Sequence, residues 1–534
     1  MRLCGKDAMR LPGLHERKAN DRKPGRQQDM CDCTNRRMMI WYNGYLWKER
    51  NERFMTQEKQ RAIEAIDDRR DLITQIADSI WDYAELSLQE FRSAALYCRI
   101  LEEEGFQVTP GISGIETAFS ASFGEGRPFI GILAEYDALD SLSQKPGSAV
   151  REELCAGGNG HGCGHNILGA GAFAAVLGIK HYLQKTMQSG TVILYGCPGE
   201  EGGASKAFMA RDHIWEGLDA ALTWHPEDTN EVRTGSSNSC IQVQYKFKGI
   251  ASHAAGEPEM GRSALDAVEL MNIGVQFLRE HMGSRARIHY AITDAGGVSP
   301  NVVQPRASVL YMVRSNHVAE AVELQKRVDK IAEGAALMTE TTFERKFIDG
   351  LADTITNHTL EKVLYDNFVE LGVPTYTKEE LEYADRLADT YPLSDYVPGI
   401  AGKSDSFFRD AVLEQQSLQG HAMNAFLAPL YTKDAFNAGS TDVGDVSWLT
   451  PTAQIHVASW PNGCPGHSWQ NVSCVRTEIG HKAAIHAGKV LAAAAIDLFA
   501  HPELLMEARK EFEKRTASGY VCPIPKDAVP VIPD

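Results

Sequence analysis

The sequence predicts an α/β protein: a mostly parallel sheet covered by helices, with a smaller α+β unit inserted into it. Three observations lead there. Short runs that are apolar throughout recur between helical stretches, as they do where both faces of a sheet are covered. The segment ILGAGAFAAVLGIK, residues 167–180, is so rich in Ala and Gly that a helix built from it must lie tight against its neighbours. Between residues 237 and 349 the pattern changes to strands and helices in the order βαββαβ, a split-βαβ unit. At 534 residues the chain is also too long for one ordinary core.

Taken in order, residues 1–56 are basic, break often and show no sustained period, which predicts a disordered or loosely attached extension. Its Cys31-x-Cys33 pair has no second pair beside it and does not make a metal site alone. One helix is expected from Gln57 through RAIEAIDDRRDLITQIADSIWDYAE, and a second in SLQEFRSAALYCRILEEEG, stopping on Gly105. Four apolar strands follow: PFIGILAEYDALD, GTVILYGCPGEEGG, LDAALTWHPED and, far downstream, TAQIHVASWPNGCPGHSWQ. The inserted unit reads NSCIQVQYKFKGIASH (strand), GRSALDAVELMNIGVQFLREHM (helix), ARIHYAIT and ASVLYMVRS (strands), VAEAVELQKRVDKIAEGAALMT (helix) and TTFERKFID (strand). The main domain is then 57–236 plus 350–534, around an insert at 237–349. Residues 379–436 read as a further insertion that shapes a pocket or an interface.

Composition narrows the function. A formal charge of -17 disfavours nucleic-acid and anionic-membrane partners, which select clustered Lys and Arg. No uninterrupted apolar run approaches the roughly 18–20 residues of a bilayer span. The first residues lack the apolar stretch of a secretory signal. Eleven cysteines without framework spacing favour reduced thiols, and so a cytoplasmic protein.

Chemistry-bearing residues share one address, the rim beyond the strand ends where open α/β sheets gather ligands. Asp137 follows the first apolar strand; Cys163 and His165 precede the Ala/Gly helix; Glu200 and Glu201 follow the second strand, His225 the third and His467 the fourth. Singly, a buried Cys is an ordinary small hydrophobe, a lone His a hydrogen-bonded structural residue, and two Glu a solvated turn. Together they ask for a common cause. His, Cys and carboxylate suit Zn²⁺, or Mn²⁺ where oxygen ligands matter. Five ligands exceed what one catalytic ion with an open position takes, and fit two divalent ions sharing a bridge. A ligating Cys163 would be a thiolate. Of the paired glutamates, one would coordinate and the other take the proton of the attacking water. His161 reads as structural or supporting, and His456, inside an apolar strand, as core.

CGHN, GCPGEEGG, TWHPE, KGIASHAA, GRSALDAV, SPNVVQ and GSTDVGDVSW, in that order, resemble the M20 metallopeptidase and amidohydrolase family, in the branch that holds the plant indole-acetyl-amino-acid hydrolases. The likeness runs from about residue 57 to the tail YVCPIPKDAVP. It implies a di-metal catalytic domain with an inserted dimerisation or lid domain. Cys163, His165, Glu201, His225 and His467 would be metal ligands, Glu200 the general base, and Asp137 the aspartate that orients the centre. Many members carry His two residues before that Asp; here Glu135 stands there, and His165 would supply the imidazole. The branch usually reads CGHD, whereas this chain has Asn166. His253 matches a lid histidine that reaches a partner subunit's site, and Asn301 and Arg314 match lid positions near substrate. The implied reaction is cleavage of an N-acyl amino acid amide, p-aminobenzoyl-glutamate first, with other N-acyl amino acids or dipeptides as the alternative. The implied assembly is a homodimer, or a heterodimer with a homologous subunit, through the lid. Two rivals stand beside this: a thiol hydrolase using Cys163 and His165, which leaves Glu200, Glu201, His225 and His467 without work, and a non-catalytic partner of a related hydrolase.

Overall fold

The computed structural model describes residues 55–392 and 396–531; the expectation for residues 1–56, with Cys31 and Cys33, lies almost wholly outside them. The chain enters through helices α1 (Gln57–Asp67) and α2 (Arg70–Tyr83), then α3 (Phe91–Glu103). The sequence suggested one helix where α1 and α2 stand. Their apolar stripe, Ala62, Ile63, Ile66, Ile73, Ile76, Ala77 and Ile80, runs unbroken across the turn at Asp68 and Arg69, so spacing alone hides the break. Next come β1 (Gln107–Pro110), β2 (Phe119–Glu125), β3 (Phe129–Ala134), α4 (His165–Thr186), β4 (Gly190–Gly196), α5 (Ser205–Arg211), β5 (Ala220–Glu227), β6 (Glu231–Arg233) and β7 (Ser236–Ser237).

The second sheet follows as β8 (Ser239–Lys248), α6 (Ala264–Leu278), β9 (Arg287–Asp294), β10 (Arg306–Ser315), α7 (Val318–Thr339) and β11 (Thr342–Leu351). The chain then returns through α8 (His358–Leu371), α9 (Lys378–Ala388), α10 (Ser406–Ser417), β12 (Phe436–Asn437), α11 (Val443–Leu449), β13 (Thr452–Ala458), α12 (Trp469–Cys474), α13 (Glu478–Ala500) and α14 (Pro502–Arg515).

The main sheet has seven strands in the order β1-β2-β4-β3-β5-β13-β6. Its middle, β4-β3-β5-β13, consists of the four apolar runs read from the sequence, and these pair in parallel. The flanks β1, β2 and β6 pair antiparallel and add to the strands that the sequence predicts. They are short, or alternate buried with exposed residues, so they lack the fully apolar signature of a covered strand. The second sheet is antiparallel throughout, β11-β8-β10-β9, with α6 and α7 closing its core over Val243, Tyr245, Val309 and Tyr311.

Helix α4 is buried along most of its length between the main sheet and α13. A Cβ on Gly171 would fall 2.6 Å from Trp224 Nε1 of β5 and 2.9 Å from the Ala484 carbonyl of α13, and one on Gly488 would fall 2.6 Å from Ala174 Cβ. Small residues let the two backbones meet at a separation that larger ones would forbid. By length and composition α13 could cross a membrane, yet most of it is buried inside this protein. Residues 396–436 fold around Val397, Phe408, Val412, Phe426 and Tyr431 and are tied to the main domain by a Lys403–Glu231 ion pair.

Candidate metal centre

Strand β3 ends at Ala134, and Asp137 turns beneath the strand-end rim, fully buried. Its Oδ1 accepts from His165 Nδ1 at 2.8 Å; its Oδ2 accepts from Ser87 Oγ at 2.8 Å and from the Glu201 backbone N–H at 3.0 Å. Burial alone would raise this carboxyl, but His165 and these hydrogen bonds draw it down to about 2. A carboxylate on Nδ1 fixes the ring and turns Nε2 toward the rim, the arrangement typical behind a metal-ligating histidine.

His165 is the first residue of α4, behind Gly164 at φ 77, so Cys163 and His165 leave the helix mouth in fixed directions. Cys163 Sγ lies 3.4 Å from His225 Nε2, and His225 Nδ1 donates to the Pro226 carbonyl at 2.7 Å. His467, on the loop after β13 at φ 52, places Nε2 3.2 Å from Glu201 Oε1. Three overlapping sets form, the ligand atoms inside each lying within 4.8 Å of one another: Cys163, His165 and His225; Cys163, Glu201 and His467; His165, Glu200 and Glu201. Distant segments of the chain therefore meet, and every strand-end residue singled out from the sequence is in the cluster or, for Asp137, directly beneath it.

The electrostatics of this cluster call for a cation. Burial and Glu201 hold the Cys163 thiol well above its ordinary range. Glu200 is lifted well above the usual carboxyl range by burial, Glu135 and Glu201. For His165, burial opposes the charged form, but Cys163 and Asp137 raise the imidazole well above normal. Acids raised and a base raised in one place describe a seat short of positive charge. The spacings fit a metal as well. Two ligand atoms each about 2.0–2.3 Å from one tetrahedral ion lie roughly 3.3–3.7 Å apart, close to the 3.4 Å of Cys163–His225 and slightly beyond the 3.2 Å of His467–Glu201.

Sequence reasoning missed several residues here. Lys206, in α5, is fully buried, with Nζ 2.7 Å from Glu135 Oε1 and 2.6 Å from Asp442 Oδ1. Glu90 Oε1 accepts from the Leu88 and Gly199 N–H groups and so holds the turn carrying Glu200; burial and Asp137 push this carboxyl up to about 8. Asp442 lies within the GSTDVGDVSW motif, but nothing in the sequence shows that a lysine in the ASKAFMA stretch is buried. His161 stays apart from the cluster; its Nε2 meets the Ile80 carbonyl at 3.0 Å. His456 pairs with Glu231 at 3.1 Å and belongs to none of the three ligand sets. Asn166 is buried, its Nδ2 donating to the Ala77 carbonyl.

The structure separates the lid residues. Arg314 pairs with Cys240 near the start of β8 and donates to Ser440 Oγ at 2.7 Å, on the wall of a cavity of ≈ 880 Å³ that also takes in Arg285, Arg287 and His289. None of the converging ligands lines that cavity. Pairing of β8 with β10 runs on past Lys248 and Arg306 as Val303 N–H to Ser252 O and Ala254 N–H to Asn301 O. His253 and Asn301 thus stand at the far tip, roughly 30 Å or more from Arg314 at the strand rise. His253 Nδ1 accepts from the Ala255 and Gly256 N–H groups, which puts its proton on Nε2, and the residue is exposed.

Comparison with known proteins follows the same lines. Residues 237–339 match the family model of the peptidase dimerisation domain. The chain is 44% identical over 486 residues to one of the subunits of the p-aminobenzoyl-glutamate hydrolase of Escherichia coli (strain K12), covering 89% of this chain and 99% of that one. It is 27% identical to the Xaa-Arg dipeptidase of Mus musculus, over 85% of this chain and 92% of that protein. Among solved structures, the aminobenzoyl-glutamate utilization protein from Klebsiella pneumoniae superposes with a TM-score of 0.53 at 17% identity, over 80% of this chain and 97% of that one, a likeness of fold.

Proposed function

The chain belongs to the M20 family of peptidases and amidohydrolases, enzymes acting on amide bonds, and from that premise we propose that it hydrolyses N-acyl amino acids at a two-cation centre. Cys163, His165, Glu201, His225 and His467 would hold two divalent ions, Zn²⁺ or Mn²⁺, and the observation that carries this is the three overlapping ligand sets at the strand ends. Bound there, the cations would acidify water and polarise the scissile carbonyl. Glu200 shares the third set with His165 and Glu201, and with Glu201 as the ligand there it would take the proton of the attacking water and return it to the leaving amine. Its raised affinity for a proton suits the second half of that task, and cations in the seat would oppose the rise. Asp137 keeps His165 and the Glu201 backbone still while this happens.

His253, exposed at the lid tip with its proton on Nε2, would reach the site of a second chain and steady the developing oxyanion. That role suits an exposed residue that belongs to none of the three ligand sets, and it calls for a homodimer, or a heterodimer with a homologous subunit, through the lid. Asn301, beside His253 at the tip, would meet substrate in the second chain's site, whereas Arg314, at the other end of the sheet, would meet substrate held in its own chain. The name of the 44%-identical relative favours p-aminobenzoyl-glutamate as substrate, before other N-acyl amino acids or dipeptides. The free state of all eight described cysteines fits a cytoplasmic protein. A half-buried Cys163 thiol held well above its normal range speaks against the thiol-hydrolase alternative, which needs the opposite shift.

The test is release of p-aminobenzoate from p-aminobenzoyl-glutamate by the purified full chain, loaded with Zn²⁺ or Mn²⁺. The proposal expects turnover that a chelator abolishes and metal restores. Turnover indifferent to chelation would overturn the metal reading. Activity that emerges only on mixing with a homologous subunit would move the chain to a partner role.

A further inference from the structure

Glu135 stands outside the set of ligands assigned above. It leaves the end of β3 two residues before Asp137, and its two carboxylate oxygens have different surroundings. Oε1 meets Lys206 Nζ at 2.7 Å. Lys206 is in turn locked by Asp442, whose Oδ1 lies 2.6 Å from Nζ and whose Oδ2 accepts the Lys206 backbone N–H at 3.0 Å. All three residues are buried, at 3%, 0% and 0% exposure for Glu135, Lys206 and Asp442. One lysine cannot neutralise two carboxylates, so the trio carries surplus negative charge in a place without solvent to screen it.

The surplus points in one direction. Glu135 Oε2 makes no hydrogen bond and lies 3.4 Å from His165 Nε2, which makes none either. With His165 Nδ1 donating to Asp137, Nε2 is the nitrogen aimed at Oε2: a charged ring would place one proton between them, and a neutral ring would leave two acceptors facing each other inside the protein. Such atoms are rarely left unpaired unless something sits between them. A shared proton would draw them to about 2.7–2.9 Å. Their 3.4 Å is instead the separation of two atoms bound to one ion at about 2.1 Å each.

We propose that Glu135 is a further metal-facing carboxylate, which with His165 Nε2 completes one of the two cation seats while Lys206 and Asp442 fix its direction. This rests on the two-cation reading. Lys206 is a positioning residue: by occupying Oε1 it leaves only Oε2 for the ion.

The test uses the full chain, stripped of metal and titrated with Co²⁺, with bound metal counted by mass spectrometry, affinity read by calorimetry, and the near-ultraviolet thiolate–cobalt band recorded as a report on Cys163. Wild type is expected to take two ions. Glu135→Gln is expected to keep the thiolate–cobalt band, bind one ion at least tenfold more weakly, and fall toward one ion per chain after desalting. Two ions at wild-type affinity in Glu135→Gln would overturn the proposal. Should Glu135→Gln fail to fold, Glu135→Asp keeps the charge but withdraws the oxygen by one methylene, and the same tenfold loss is expected, unchanged affinity again being contrary. A wild-type chain that binds no cation would bring down the two-cation reading itself, which is a different result from a loss or its absence in the variants alone.

Discussion

Two buried lysine–glutamate–histidine arrangements sit in the main domain, built from the same side chains and ending differently. Near β6, Lys403 Nζ pairs with Glu231 Oε2 and His456 Nδ1 with Glu231 Oε1. At the strand-end rim, Lys206 pairs with Glu135 Oε1, but Glu135 Oε2 and His165 Nε2 are left facing each other. The first is closed: both Glu231 oxygens are used, and Lys403 and His456 overcome burial to draw that carboxyl down to about 2. The second is open, and its His165 belongs to two ligand sets, one with Cys163 and His225 and one with Glu200 and Glu201. Residue type alone does not mark a site. Unspent lone pairs in a buried place do, because the fold bears their desolvation without return unless a ligand arrives.

Substitutions can break the contrast from either side. The largest effect is expected at Glu200: Glu200→Gln should lower kcat by about 10²–10⁴-fold while metal content stays at the wild-type level, measured by steady-state kinetics beside metal analysis. In the closed arrangement Glu231→Gln should leave metal content and KM unchanged and instead cost about 3–5 kcal/mol of stability, since it strands a buried Lys403. Denaturant unfolding of the two variants separates the roles. The pH dependence has a definite sign. Glu231 has a lowered pKa, so its contribution is fully present above the ordinary carboxyl pKa near 4.5 and is lost as pH falls toward about 2. The acid limb of wild-type stability should therefore flatten in Glu231→Gln.

Smaller changes sharpen the open arrangement. Asp137→Asn, which keeps the shape but weakens the hold on His165, should loosen metal by about 10–100-fold in a calorimetric titration. Ser87→Ala removes one of the hydrogen bonds to Asp137 and should weaken metal by only a few-fold, about 1 kcal/mol. Equal losses in Ser87→Ala and Asp137→Asn would mean that the site senses packing rather than the direction of the imidazole.

What the sequence disclosed follows the same physics. The parallel strands were legible because burial on both faces leaves them apolar throughout, and Cys163, Glu200, His225 and His467 were legible because each follows or precedes such an element. The edge strands β1, β2 and β6 gave no comparable signal. Helix α13 was not separated out, although the Ala and Gly of α4 already required a partner at close range. The break at Asp68 and Arg69 was hidden by a continuous apolar stripe. Lys206 and Asp442 escaped because a charged residue is read as exposed until coordinates show it buried. His253, Asn301 and Arg314 share a domain in the sequence, and only strand pairing shows the first two at one end and the third at the other.

Where metal binds decides the matter most directly. Anomalous diffraction from crystals of the Zn²⁺-loaded chain should show two peaks among Cys163, His165, Glu201, His225 and His467, and none beside Lys403, Glu231 and His456. A rim without anomalous density, or a peak at the closed arrangement instead, would contradict it.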